Sequence, residues 1–215
     1  MSEPSNYRIK VRPPIVESLF FPGEREALIK AVNDNLAYGG SRKGALAVLS
    51  PHAAWQYAGA LMGKAFAAAQ RTGVETVVIL SSVHRDQSDG IFISESDYFS
   101  TPLGNVAVAK DIVSELSACS TKIYVDDTPH LEEHGIEVVL PFVQTLFPSA
   151  CIVPILFGKT SAALSEIVAK ALSCVCAERL DQTLFVISTN LSSNCKKEKS
   201  EKEAERFSSI IERGN

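Results

Sequence analysis

Leu46-Ala47-Val48-Leu49-Ser50-Pro51-His52 and Val77-Val78-Ile79-Leu80-Ser81-Ser82-Val83-His84 decide how this chain folds. Each stretch is a short aliphatic run that passes through small polar residues to a histidine. Apolar runs of this length, bounded by turn signals, read as strands buried inside an α/β sheet. Each histidine then stands at the C-terminal end of its strand, the edge where open α/β sheets bind ligands. Imidazole is the commonest protein ligand for metals and titrates near neutral pH. Two such residues on adjacent strand ends can approach within metal-binding distance of one another.

Working outward, the chain alternates strand and helix. Glu24, Ala27, Leu28, Ala31, Val32 and Leu36 recur at helical spacing after Pro22, and Tyr38-Gly39-Gly40-Ser41 ends that helix. The first strand spans 44–50, a small-residue helix spans about 57–71, and the second strand spans 75–81. Short strands are expected at 91–93, 106–108 and 122–125, with a helix at 109–118. Residues 132–147 have a helical pattern in which Pro141 should kink the helix or start a new turn. Strand 151–157, helix 161–177 and strand 183–188 follow, then a charged helix with one apolar stripe from 196 to 213. Pro13-Pro14 should keep residues 1–14 an extended arm without regular structure. Such alternation predicts a single α/β domain over 15–215, with helices on both faces of a mostly parallel central sheet.

Composition narrows the function classes. The chain has 215 residues, 46% of them hydrophobic, and a net charge of −4. That is enough chain for a core without disulfide staples. The acidic balance gives no electrostatic footprint for nucleic acid. No run is apolar for long enough to span a bilayer, and the polar N-terminus has no signal-peptide character, so a cytoplasmic protein without a membrane partner is expected. The five cysteines (Cys119, Cys151, Cys174, Cys176, Cys195) form no C-x-x-C pair and read as reduced thiols, with Cys174 and Cys176 as packing residues. Phosphate-binding glycine loops are absent, so no nucleotide cofactor is expected.

The candidate site gathers around the strand ends. His52 begins a strand-to-helix turn in which Trp55 and Tyr57 would wall a pocket. Of the other two histidines, His134 reads as a pocket residue and His130 as a solvated loop residue. His130 and His134 are spaced i,i+4, but Pro129 and Gly135 interrupt a zinc-binding helix of the H-E-x-x-H kind. Glu137 is then a candidate acid–base carboxylate. Ser188-Thr189-Asn190-Leu191-Ser192-Ser193-Asn194 reaches the same edge and reads first as helix-capping chemistry. Cys195 follows as a candidate thiol.

These segments resemble the Memo family (system protein B of the AmmeMemoRadiSam grouping), which is similar in fold to the class III extradiol dioxygenases. Pro51-His52-Ala53-Ala54-Trp55-Gln56-Tyr57-Ala58-Gly59 is similar to its P-H-A-G-Y-x-Y-x-G. Ser81-Ser82-Val83-His84-Arg85 stands where it has G-P-S-H-H, and Thr101-Pro102-Leu103-Gly104 matches T-P-L-G. His134-Gly135-Ile136-Glu137, with Leu140-Pro141-Phe142, matches H-S-x-E-x-x-L-P-F, and Val153-Pro154-Ile155-Leu156-Phe157-Gly158 matches V-P-I-L-V-G. The resemblance implies a three-layer α/β fold with His52 and His84 as metal ligands and His134 and Glu137 as catalytic pocket residues. Trp55, Tyr57, Arg85 and Asn190 would bind the ligand.

The departures alter the expected chemistry. The family's S-S-D-x-x-H reads Ser188-Thr189-Asn190-Leu191-Ser192-Ser193, which replaces an aspartate with Asn190 and a histidine with Ser193. Arg85 replaces the second histidine of G-P-S-H-H, and the family's cysteine-bearing C-terminal portion has no counterpart. Two imidazoles alone make a weak site, because zinc sites use three or four protein ligands. Arg85 disfavours a cation and favours an anion. The expectation is a degenerate pocket that binds a divalent metal (iron, copper or zinc) weakly, or a small anionic ligand or peptide, without efficient turnover. A working iron or copper oxidoreductase is the alternative, and a phosphopeptide-binding adaptor for a protein partner is a third.

Overall fold

The computed structural model describes residues 8–85, 88–191 and 196–213. In chain order its elements begin β1 (Val11–Arg12), α1 (Arg25–Leu36), β2 (Ala47–Ser50), α2 (Trp55–Ala69), β3 (Thr76–Ser82), β4 (Ile91–Ile93), β5 (Tyr98–Thr101) and β6 (Gly104–Ala107). They continue α3 (Lys110–Ala118), β7 (Ile123–Val125), α4 (Thr128–Glu132), α5 (Leu140–Leu146), β8 (Cys151–Phe157), α6 (Ala162–Val175), β9 (Thr183–Ser188) and α7 (Lys197–Glu212).

The aliphatic runs form a six-stranded sheet in the order β2-β9-β3-β8-β4-β7. The first four strands are parallel, and only the β4–β8 pairing is antiparallel. Val77, Val78 and Ile79 of β3, Ile152 and Val153 of β8, and Leu184 and Val186 of β9 are all buried. Sheets buried on both faces require such continuous β-branched stretches. The connection β2–α2–β3 moves across the sheet in one direction and β8–α6–β9 in the other. With right-handed crossovers, opposite directions place α2 and α6 on opposite faces. The chain is therefore a mixed α/β protein with helices flanking a mostly parallel sheet, as the alternation predicts. No helix among the described residues is long and apolar enough to cross a membrane.

Four expectations need correction. First, β2 and β3 are not neighbours: β9 lies between them and pairs with both. The crossover through α2 skips one strand position, which short-range pattern cannot reveal. Second, the N-terminal arm is not wholly irregular. Val11 and Arg12 pair in parallel with Tyr98 and Phe99 of β5, in a separate three-stranded sheet β1-β5-β6, because the prolines follow the paired residues rather than interrupt them. Third, 132–147 is not one helix. Helix α4 ends at Glu132, Glu133 is extended (φ −108°, ψ 131°), and a 3-10 turn at Glu137–Val139 leads into α5. Pro141 lies in the first turn of α5, where its missing N–H costs nothing. Fourth, Cys176 is buried as expected of a packing residue, but Cys174 is exposed.

Candidate metal centre

Three strand ends build one edge of the site. His52 follows β2 by two residues, His84 follows β3 by two, and Ser188 closes β9 between them. The extended break after α4 brings in His134. Ring centroids are 5.0 Å apart for His52–His84, 5.5 Å for His52–His134 and 4.7 Å for His84–His134. One ring nitrogen from each of His52, His84 and His134 lies within 4.8 Å of the others. Around a tetrahedral zinc such nitrogens stand ~3.4 Å apart, from Zn–N bonds of ~2.05 Å. Closing the cluster onto an ion thus takes at most ~1.4 Å of side-chain movement.

Hydrogen bonds fix which nitrogen faces inward. Ser188 Oγ donates to the Gly135 carbonyl (2.5 Å) and lies 3.2 Å from His52 Nδ1. Its single proton is committed to Gly135, so it accepts from Nδ1–H and leaves the Nε2 lone pair of His52 free. Asn190 Oδ1 accepts the backbone N–H of His52 at 3.2 Å. The His84 ring donates from Nδ1 to Glu133 Oε1 (2.7 Å), and its backbone N–H donates to Oε2 (2.7 Å). The Nε2 of His84 is thereby free as well. His134 turns Nδ1 to the same Oε1 at 3.3 Å and donates its backbone N–H to it at 3.1 Å. Orientation of ligand imidazoles by a carboxylate is the usual outer layer of a histidine metal site.

The electrostatics agree. Burial, reinforced by the neighbouring His84 and His134 rings, lowers the His52 pKa to about 4. The ring is neutral at pH 7, as a ligand must be. Burial alone would raise the Glu133 carboxyl, but hydrogen bonds from His134 and from the backbone and ring of His84 bring it down to about 2. A permanent carboxylate therefore backs two imidazoles. Gly135 is required for this packing: a Cβ there would overlap Ser81 Oγ and come 3.1 Å from His52 Nδ1. Ser81 Oγ is itself buried without a hydrogen-bond partner. Phe20 covers one side, edge-on to His134 at 4.9 Å. An apolar cavity of about 360 Å³ between α6 and the ends of β3, β8 and β9 shares Ser81 and Ser188 with the site but contains no imidazole.

The other expected site residues fall elsewhere. Glu137 is fully buried, ion-paired with Arg12 and accepting the backbone N–H groups of Ile15 and Val16. Its oxygens are thus engaged by the N-terminal segment, and Glu133 is the carboxylate that contacts His84 and His134. Trp55 does not wall a pocket at the histidines. It packs against Phe142 (4.6 Å) and Phe21 (5.8 Å), and its indole donates to the Val138 carbonyl. Tyr57 is 83% exposed on α2. Arg85 is exposed beside His84. His130 is not solvated: it is 1% exposed and Nε2 contacts the Phe92 carbonyl at 3.2 Å. Ser193 and Cys195 lie outside the described residues.

The family model described as Memo-like protein matches residues 12–214. The chain belongs to the Memo family. A MEMO1 family protein of Thermococcus onnurineus is 33% identical over 187 residues, covering 83% of this chain and 64% of the relative. One from Thermotoga maritima is 31% identical over 193 residues, covering 84% and 69%. One from Methanobrevibacter smithii is 28% identical over 194 residues, covering 84% and 68%. The matched region thus spans about two thirds of each relative's length.

Glu133, Gly135 and Ser188 orient the histidines, a role that pattern reading does not give them. Glu133 has no role of its own in the sequence pattern, and Ser188 reads as a cap. The usable signal was the position of Glu133 directly before a histidine and two residues before a glycine, in a segment that cannot stay helical.

Proposed function

We propose that this Memo protein binds one divalent transition metal through His52, His84 and His134. The observation that carries this reading is the convergence of three imidazoles, two of which have Nδ1 engaged and Nε2 free. A third imidazole removes the premise of a two-ligand site. Three imidazole nitrogens on one face match the protein share of a catalytic zinc site, and they also suit copper or iron. When bound, the metal supplies a Lewis acid with open coordination positions. The chain's own residues orient the rings through Glu133 and Ser188, exclude water on one side through Phe20, and place the Arg85 charge at the rim. That charge favours an anionic small ligand at the open positions.

Isothermal titration with Zn(II), Co(II) and Cu(II) tests the proposal. One equivalent should bind, and His52→Ala, His84→Ala and His134→Ala should each weaken binding by 10-fold or more. Stoichiometric binding that survives all three substitutions would place the metal elsewhere.

A second reading, a non-haem iron or copper oxidoreductase, is favoured by the same three-imidazole face, because three protein nitrogens would leave coordination positions for oxygen and substrate. Mixing the Fe(II) protein with oxygen, with and without a catechol, tests it. Absence of any spectral change or oxygen uptake would remove it.

A further inference from the structure

We infer that Arg12, in the N-terminal strand and remote in sequence from every histidine, is the positioning residue that sets the geometry of the three-imidazole cluster. The side chain is 1% exposed, and its hydrogen bonds beyond its own neighbour reach the segment 130–137. Nε donates to the His130 carbonyl at 3.0 Å, Nη2 donates to the Glu133 carbonyl at 2.6 Å, and Nη1 pairs with Glu137. Nη1 also donates to the Pro13 carbonyl at 3.0 Å. The guanidinium fork can hold several acceptors rigidly, which an ammonium cannot.

The clamped segment holds all three histidines. Glu133 receives the ring and backbone N–H of His84 and the backbone N–H of His134. Gly135 receives the Ser188 hydroxyl, which in turn receives His52 Nδ1–H. Between α4 and the 3-10 turn this segment has no regular structure of its own. Arg12 and its ion-pair partner Glu137, which also binds the Ile15 and Val16 N–H groups, supply the missing rigidity. The N-terminal strand is therefore a strap across the back of the site. Because coupling is reciprocal, a bound metal also strengthens docking of the strap.

This inference rests on the metal-centre reading for its affinity readout, but imidazole tautomers in the metal-free protein report on it separately. The test uses the whole chain with Arg12→Met alone and with Arg12→Met/Glu137→Gln. The pair leaves no stranded charge and keeps an acceptor for Ile15 and Val16, so it avoids the buried unpaired carboxylate that the single variant creates. Leu28→Ala in the core of α1 matches the loss of stability without touching the segment. Side-chain ¹⁵N–¹H spectra of the metal-free wild type should show His84 as the Nδ1–H tautomer, mixed or exchanging in the paired variant and unchanged in Leu28→Ala. Co(II) affinity should fall about tenfold or more in the paired variant only, with an altered visible spectrum. A folded paired variant that keeps wild-type tautomers and Co(II) affinity overturns the inference. If the wild type binds no Co(II), the metal-centre proposal fails and the tautomer spectra alone decide the role of Arg12.

Discussion

Glu133 grips His84 twice, with Oε1 2.7 Å from the ring Nδ1 and Oε2 2.7 Å from the backbone nitrogen. A bidentate hold of this kind fixes both the position of the residue and the rotation of its ring. It also settles the tautomer, because a carboxylate can only accept. A Glu133→Gln substitution replaces one acceptor oxygen with an NH₂ group that must face a donor. The expected outcome is a 10- to 100-fold loss of metal affinity, measured by competition titration against a chromophoric chelator. Unchanged affinity would mean that Glu133 serves the fold alone.

Gly135 sits where no side chain fits, between Ser81 and His52. A methyl group there displaces Ser81 or the His52 ring, so Gly135→Ala should lower stability by about 1–3 kcal/mol, as overpacking does. It should also weaken metal binding, because the Gly135 carbonyl anchors the Ser188 hydroxyl that orients His52. Urea denaturation and metal titration of the same preparation check both effects. Ser188→Ala should show the affinity loss without the steric cost.

Sequence pattern and structure agree best where one element explains itself. The aliphatic runs of β3, β8 and β9 announce buried parallel strands, and the histidines after β2 and β3 announce the functional edge. What stayed hidden depends on partners distant in sequence. Nothing near His84 signals that a carboxylate 49 residues away will hold it. Nothing near Val11 signals a partner in β5. Glu137 matches a family motif, and nothing near it signals that Arg12, 125 positions earlier, pairs with it. His130 reads as a solvated loop residue, whereas it is buried edge-on to the Phe99 ring with Nε2 against the Phe92 carbonyl.

Trp55 and Tyr57 are two residues apart in one motif, yet their environments are opposite. Trp55 is buried between Phe21 and Phe142, and truncation there leaves a cavity and an unpaired Val138 carbonyl. Trp55→Ala should cost about 3–5 kcal/mol. Tyr57→Ala, on the solvent side of α2, should lie within about 0.5 kcal/mol of wild type. Thermal and urea denaturation of the pair check the contrast. A large stability loss at Tyr57 would contradict its exposure.

His130 makes the fold acid-sensitive. Burial lowers its pKa from 6.5 to about 4, opposed by the hydrogen bond to the Phe92 carbonyl and by the Asp127 and Asp126 carboxylates, while the Arg12 charge reinforces the shift. As pH falls through about 6.5 the unfolded chain binds a proton at this ring, and the folded chain does not until about 4. The unfolded state therefore holds more protons across that window, so stability falls as pH falls. Above 6.5 the group contributes no pH dependence. The loss reaches roughly 3 kcal/mol near pH 4, from about 1.4 kcal/mol per unit. His52 and the carboxylates add their own dependence, so the informative quantity is the difference between wild type and His130→Gln. Urea denaturation from pH 8 to pH 4 should give a constant difference above 6.5 and a steadily changing one below it, as the wild type loses its advantage. A difference independent of pH throughout would mean that His130 takes up its proton in the folded state without resistance.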